Sequence, residues 1–133
     1  MIIDNIQLPK SSFLSVEKDM KLIANMLIKN KRLRKLLKNT TRNALDGPNI
    51  SDKEAIEMFG KEIRNVPQMK IDKNIRNYIF IKFDNFVPNG TNPEFRDNLI
   101  YFNIVCHYDQ WQLQDFELRP IRIGAEIDTM FNN

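Results

Sequence analysis

The chain has 133 residues, 42% of them hydrophobic and 28% charged, which is the composition of one globular domain and excludes a disordered tail. Its longest apolar-rich run, residues 98–106, is too short to cross a bilayer. We predict no signal peptide, because Met1-Ile2-Ile3-Asp4 breaks into polar residues before an apolar core forms. The single cysteine, Cys106, excludes an internal disulfide framework and is typical of a reducing compartment.

Residues 1–14 have no helical or strand pattern, and we predict an irregular arm there. Residues 15–66 are predicted to be helical, because apolar residues recur at helical spacing in Val16, Met20, Ile23 and Leu27. Asn30 interrupts this pattern, and leucines continue it to about Lys38. A Ser51-x-x-Glu54 capping box then begins a short helix that we extend through Ile63.

Residues 77–117 have the alternation of a sheet, interrupted by a long loop at 86–97. The strand at residues 99–108 is apolar on both faces, which predicts a central position, and residues 110–117 hold a weaker third strand. Pro120 suits the first turn of a closing helix, residues 119–131. The fold class is therefore α+β: one domain, 1–133, with a small antiparallel sheet, N-terminal helices and a C-terminal helix packed on it.

The chain offers little for catalysis. His107 is the only histidine, and because it neighbours Cys106 on a predicted strand, the two side chains face opposite ways and cannot share a zinc ion. The four glycines are too dispersed for a phosphate-binding loop. Asp84, two residues after Lys82 at a strand end, is the best starting point for a magnesium site, but we favour the explanation that these acids are solvated loop residues. We expect no catalytic residue, no metal and no cofactor, and thus no enzyme.

Charge is unevenly distributed: residues 1–76 carry 16 Lys/Arg against 9 Asp/Glu, whereas residues 77–133 carry 4 against 8. Opposite charge in the two halves suits head-to-tail packing of copies, and solvated lysines on the N-terminal helices are the alternative explanation. The segment 29–42 has seven basic residues and no acid, which suits an acidic partner, a phosphate backbone or a solvated helix face. Together with apolar residues of the long loop, it supplies the interface candidates Phe86, Val87, Phe95, Lys31, Arg32, Arg34 and Lys35.

Three segments carry a resemblance to a known family: Asn77–Ile81, Leu99–His107 and Arg119–Asp128. Over residues 77–131 the chain resembles neck proteins of tailed bacteriophages, the tail-terminator or head-tail joining family. The resemblance implies a structural subunit that forms a hexameric ring, caps the tail tube and joins it to the head-side connector or stopper protein. It implies a place in the virion neck after assembly in the host cytoplasm, with no membrane and no sequence-specific nucleic acid. The alternative is another intracellular adaptor, or a nucleic-acid-binding module that uses residues 29–42.

Overall fold

The computed structural model of the protein describes residues 13–66, 73–88 and 96–132, with side chains for all of these except Phe13 and residues 84–88 and 96–99. The described chain is α+β, as predicted. Its longer elements are four helices and a three-stranded sheet: α1 (Phe13–Lys29), α2 (Lys31–Lys38), α3 (Asp52–Ile56), β1 (Ile63–Arg64), β2 (Asn77–Pro88), β3 (Arg96–Cys106) and α4 (Arg119–Phe131).

The first two helices confirm the predicted apolar stripe and its interruption. Val16, Ile23 and Leu27 are buried along α1, and α2 buries three leucines. Between them Asn30 leaves helical geometry, and its side-chain oxygen accepts a hydrogen bond from Leu33 N at 3.0 Å, which caps α2. The helix α1 begins at Phe13, two residues before the predicted boundary, so the irregular arm was drawn too long.

The Ser51 cap is confirmed, since its hydroxyl accepts from Glu54 N at 3.2 Å. The predicted continuation of this helix to Ile63 is wrong, because α3 ends at Ile56. The chain then turns at Gly60, whose φ of 82° suits a residue without a Cβ, and its amide donates to Ile63 O at 2.7 Å. Because of this turn, Ile63 lies outside the helix and pairs with Ile79 of β2.

The sheet has the order β1-β2-β3, with β1 parallel and β3 antiparallel to the central strand β2. It is therefore mixed, and the predicted purely antiparallel sheet is corrected by the short parallel pair Ile63–Ile79 and Arg64–Phe80. The predicted central position of residues 99–108 is also wrong, because β3 lies at an edge of the sheet. Its apolar outer residues, such as Tyr101 and Val105, are exposed rather than covered.

Both long strands extend into the segment predicted to be a loop. The strand β2 runs to Pro88 and β3 begins at Arg96, so the predicted loop at 86–97 is too long at both ends. The ladder shifts register between Asp84 and Val87, which is how a strand absorbs an irregular stretch without ending. Proline is tolerated here because Pro88 is the last residue of the strand.

The segment predicted as a third strand, 110–117, instead contains two short 3-10 turns, Tyr108–Gln110 and Gln114–Phe116. A single bridge between Gln112 and Leu118 folds it back on itself. The closing helix is confirmed at residues 119–131, with Pro120 in its first turn and Ile123 and Ile127 buried.

The core lies between the inner face of the sheet and the helices α2 and α4. Ile79 and Ile81 project from the central strand into this core, and Phe102 stacks on Phe131 with ring centroids 5.5 Å apart. The helices α2 and α4 contribute the buried residues Leu33, Leu36, Leu37 and Ile123 to this core.

One buried cation connects the two halves of the chain. Arg119 has no exposed surface, and its guanidinium donates to the carbonyl oxygens of Gln110 at 2.8 Å, Asn39 at 2.9 Å, Thr41 at 3.1 Å and Leu36. These carbonyls include ones at the C-terminal end of α2, where helix carbonyls lack intrahelical donors and the helix dipole favours a cation. Arg119 therefore fixes the start of α4 against the end of α2.

Candidate interaction surfaces

The basic segment 29–42 is largely engaged within the monomer. Arg32 forms an ion pair with Glu126 at 2.7 Å, and Lys35 donates to the carbonyl of Leu45 at 3.1 Å. Lys38 lies 3.7 Å from buried Glu62, whose pKa is raised by burial even though Lys38 opposes that shift. Among the predicted interface residues of this segment, Lys31 and Arg32 are exposed.

Arg34 is buried and stabilises the monomer. Its guanidinium donates to the carbonyls of Ile28 and Ile50 and pairs with Asp52 at 2.9 Å. Because an interface residue has to be accessible before assembly, the buried Arg34 is not a suitable interface residue. Sequence reasoning missed it because a buried and a solvated arginine look identical in a helical stripe.

Two of the three apolar interface candidates lie near the end of β2. Phe86 and Val87 belong to β2, so they occupy a strand rather than a loop. Phe95 lies outside the described residues. Their assignment to an interface stays a prediction.

The outer face of the sheet is a second surface, which sequence analysis assigned to the interior. Across β2 and β3 it presents Tyr78 opposite Val105 and Lys82 opposite Tyr101. Tyr101 and Val105 are exposed, while the guanidinium of Arg64 lies 3.7 Å from the centre of the Tyr78 ring. An aromatic face rimmed by cations is typical of a surface that contacts another macromolecule.

The loop 112–118 presents the most exposed aromatic side chain of the described chain. Phe116 is 95% exposed, and its backbone lies in the left-handed region with φ 63°, directly after Asp115 with φ 58°. Two consecutive non-glycine residues in this region are uncommon and cost free energy. The loop holds this geometry through hydrogen bonds from Leu113 N to Glu117 O, at 2.8 Å, and from Gln114 N to Arg42 O, at 3.1 Å.

Other apolar residues flank this loop on both sides along the chain. Trp111 precedes it, and Leu118 and Ile121 follow it, all of them exposed. The Gln112–Leu118 bridge brings the two flanks together. In the sequence, residues 111–118 show only apolar residues spaced among glutamines and acidic residues. This pattern does not distinguish a strand from a loop with exposed apolar side chains.

A groove of about 510 Å³ opens between α1 and the start of β1. Its apolar lining comes from Met20 and Ala24 of α1, from Phe59 and Ile63, and from Ile81 of the central strand. Gly60 also borders the groove, and no atom would lie within 4 Å of a side chain added there. Such a concave apolar surface is suited to receive a large side chain.

A cluster of titratable residues lies at the end of β3. The Nδ1 atom of His107 lies 2.7 Å from a carboxylate oxygen of Asp109, which also pairs with Arg76. Although desolvation opposes it, the hydrogen bond from His107 and the charge of Arg76 lower the pKa of Asp109. Burial raises the pKa of the neighbouring Cys106 thiol to about 11, so this thiol is protonated at neutral pH.

The described part of the chain holds no group of three His, Cys, Asp or Glu residues arranged to bind a metal ion. Within the same residues, no helix is long and apolar enough to cross a membrane. What the structure presents is a set of surfaces: the outer sheet face, the Phe116 loop and the α1–β1 groove.

These features define a small α+β protein that exposes several large apolar side chains. The chain belongs to the YomW family, whose sequence model matches residues 30–133. This family derives from a phage region of Bacillus. No curated protein and no solved structure matches the chain significantly.

Proposed function

We propose that this protein is a structural subunit of a phage neck, a tail-terminator-like ring that caps the tail tube and joins it to the head connector. The single observation that carries the proposal is the exposure of large apolar side chains on separate surfaces, led by Phe116. Exposed apolar residues that lie side by side, as around Phe116, often mark a surface that contacts another chain. Membership of a phage-derived family supports the virion as the setting.

The proposed partners are further copies of the chain in a hexameric ring, the tail tube protein and the head-side connector or stopper protein. We place the protein in the virion neck, after assembly in the host cytoplasm. The role is contact rather than catalysis, and it uses no cofactor. The Cys106 thiol fits this proposal, because burial raises its pKa to about 11 and a protonated thiol is a poor nucleophile.

The alternative is an adaptor or a nucleic-acid-binding module that uses residues 29–42. Nucleic-acid binding needs lysines and arginines that are free to meet phosphates. Arg34 is buried, and Arg32, Lys35 and Lys38 have partners within the monomer. This arrangement favours contact with protein over contact with nucleic acid.

The proposal is tested by deleting the gene from a phage that carries it and examining the particles by electron microscopy. We expect separate filled heads and separate tails, because the missing ring would leave the tail without its joining surface. Complementation with the wild-type gene should restore joined particles. Normal, infectious, joined particles from the deletion phage would contradict a role in the neck.

A further inference from the structure

We infer that the Phe116 loop of one copy inserts into the α1–β1 groove of the next copy. This inference rests on the proposed assembly of the protein and names the contact that produces it. The occupant of the groove is thus a second copy of this chain.

The loop has the properties of an anchor that is formed before binding. Phe116 is almost fully exposed, and the positive φ angles at Asp115 and Phe116 hold it away from the body of the chain. Hydrogen bonds close the loop at Leu113 and Glu117, so little conformational freedom remains to be lost on binding. Rigid aromatic anchors of this kind usually dominate the energy of an interface.

The groove has the complementary properties. It is concave, its floor is apolar, and its volume of about 510 Å³ exceeds the space that a phenylalanine ring requires. Phe59 is partly exposed at its border, where an incoming ring would stack on it. Gly60 leaves the entrance open, since nothing lies within 4 Å of the position of its missing Cβ.

Charge complementarity is found at the scale of the two halves of the chain. Residues 1–76, which contain most of the groove, have a net charge of +7, and residues 77–133, which contain the loop, have −4. Nearer the two surfaces, Lys21 pairs with Glu17 at 3.5 Å and Glu117 pairs with Arg122, whereas Asp115 adds a negative charge beside Phe116. Complementary charge steers two surfaces together and selects the orientation in which they meet.

The loop and the groove share no residue, so the contact between two copies is heterologous. After one such contact, the first copy still has a free groove and the second still has a free loop. Repetition of a heterologous contact gives a ring when the rotation closes. A ring is the form of assembly that the proposed function requires.

The test uses three variants of the full chain: Phe116→Ser without the anchor, Phe59→Asp with an acid at the groove, and Tyr108→Ser as a control. Tyr108 is 82% exposed and lies outside both surfaces, so its loss matches Phe116→Ser in removing an exposed aromatic ring. Mass in solution is measured by light scattering for each variant, and circular dichroism verifies folding. We expect Tyr108→Ser to assemble like the wild type and the other two variants to remain monomeric.

An equimolar mixture of Phe116→Ser and Phe59→Asp provides the sharper result. Each variant keeps one intact surface, so the mixture should give species of twice the monomer mass and no ring. Wild-type assembly by Phe116→Ser, or a mixture in which no pairs form, overturns the loop-in-groove contact. If the wild type and Phe116→Ser form the same assembly, this contact is refuted, but self-assembly and the proposed function are not. A wild type that is monomeric, from a phage whose deletion gives normal particles, would remove both.

Discussion

Replacing Arg119 with methionine is expected to destabilise the protein by about 3–5 kcal/mol, since the change removes all the hydrogen bonds of one fully buried guanidinium. Methionine fills a similar volume but donates no hydrogen bond. The carbonyls of Leu36, Asn39, Thr41 and Gln110 would lose their shared donor at a site that water reaches poorly. Burial lowers the pKa of Arg119, yet a guanidinium stays protonated at neutral pH, so a charged donor is lost.

The matched control is Arg122→Met, three residues further along α4. Arg122 pairs with Glu117 where both side chains are partly exposed, and such pairs contribute at most about 1 kcal/mol. Urea unfolding at one protein concentration compares the two variants, because assembly makes apparent stability depend on concentration. Equal losses of stability in Arg119→Met and Arg122→Met would show that the buried guanidinium is not what holds α4 to α2.

The second large effect is expected from Ile79→Ala, with a loss of about 2–5 kcal/mol. Ile79 has no exposed surface, and it lies on the central strand between Ile63 of β1 and Ile104 of β3. Truncation would leave a cavity that both neighbouring strands border, and a close-packed core refills such a cavity only in part.

Ile100→Ala is the control for Ile79, because it makes the same change in the same sheet. Ile100 lies on the edge strand and is 41% exposed, so its truncation should cost less than about 1 kcal/mol. Denaturant unfolding again gives the comparison. A larger loss at Ile100 than at Ile79 would contradict the strand order β1-β2-β3.

Local patterns predicted the helices well, because helix formation depends on contacts between near neighbours in the sequence. The break at Asn30, the cap at Ser51 and the start of the closing helix near Pro120 were all correct. Each rests on a local hydrogen bond or on a fixed backbone angle.

The order of the strands could not be read in the same way. The two-residue strand β1 is too short to give any periodicity, and only its pairing with Ile79 and Phe80 makes it a strand. The apolar outer face of β3 was interpreted as burial, although residues such as Tyr101 are exposed there. An apolar pattern predicts that a face will contact other apolar groups. It does not indicate whether those groups belong to the same chain or to another chain.

The sequence predicted assembly through aromatic anchors and opposite charge, with anchors at Phe86 and Phe95, and that assignment stays a prediction. The exposed Phe116 escaped notice because its position depends on the positive φ angles at residues 115 and 116, which no residue pattern reveals. The burial of Arg34 could not be predicted either. Its guanidinium donates to the carbonyls of Ile28 and Ile50, and no local residue pattern indicates these two contacts.

The proposed function requires this protein to assemble with copies of itself, so the mass of the native protein in solution is the decisive measurement. Native mass spectrometry, or sedimentation velocity over a range of concentrations, compares the particle with the 15.8 kDa chain. We predict one dominant closed species whose mass is a whole multiple of the chain, six-fold for the proposed ring. A monomer that persists at every accessible concentration, and remains a monomer when the tail tube protein is added, would contradict the account.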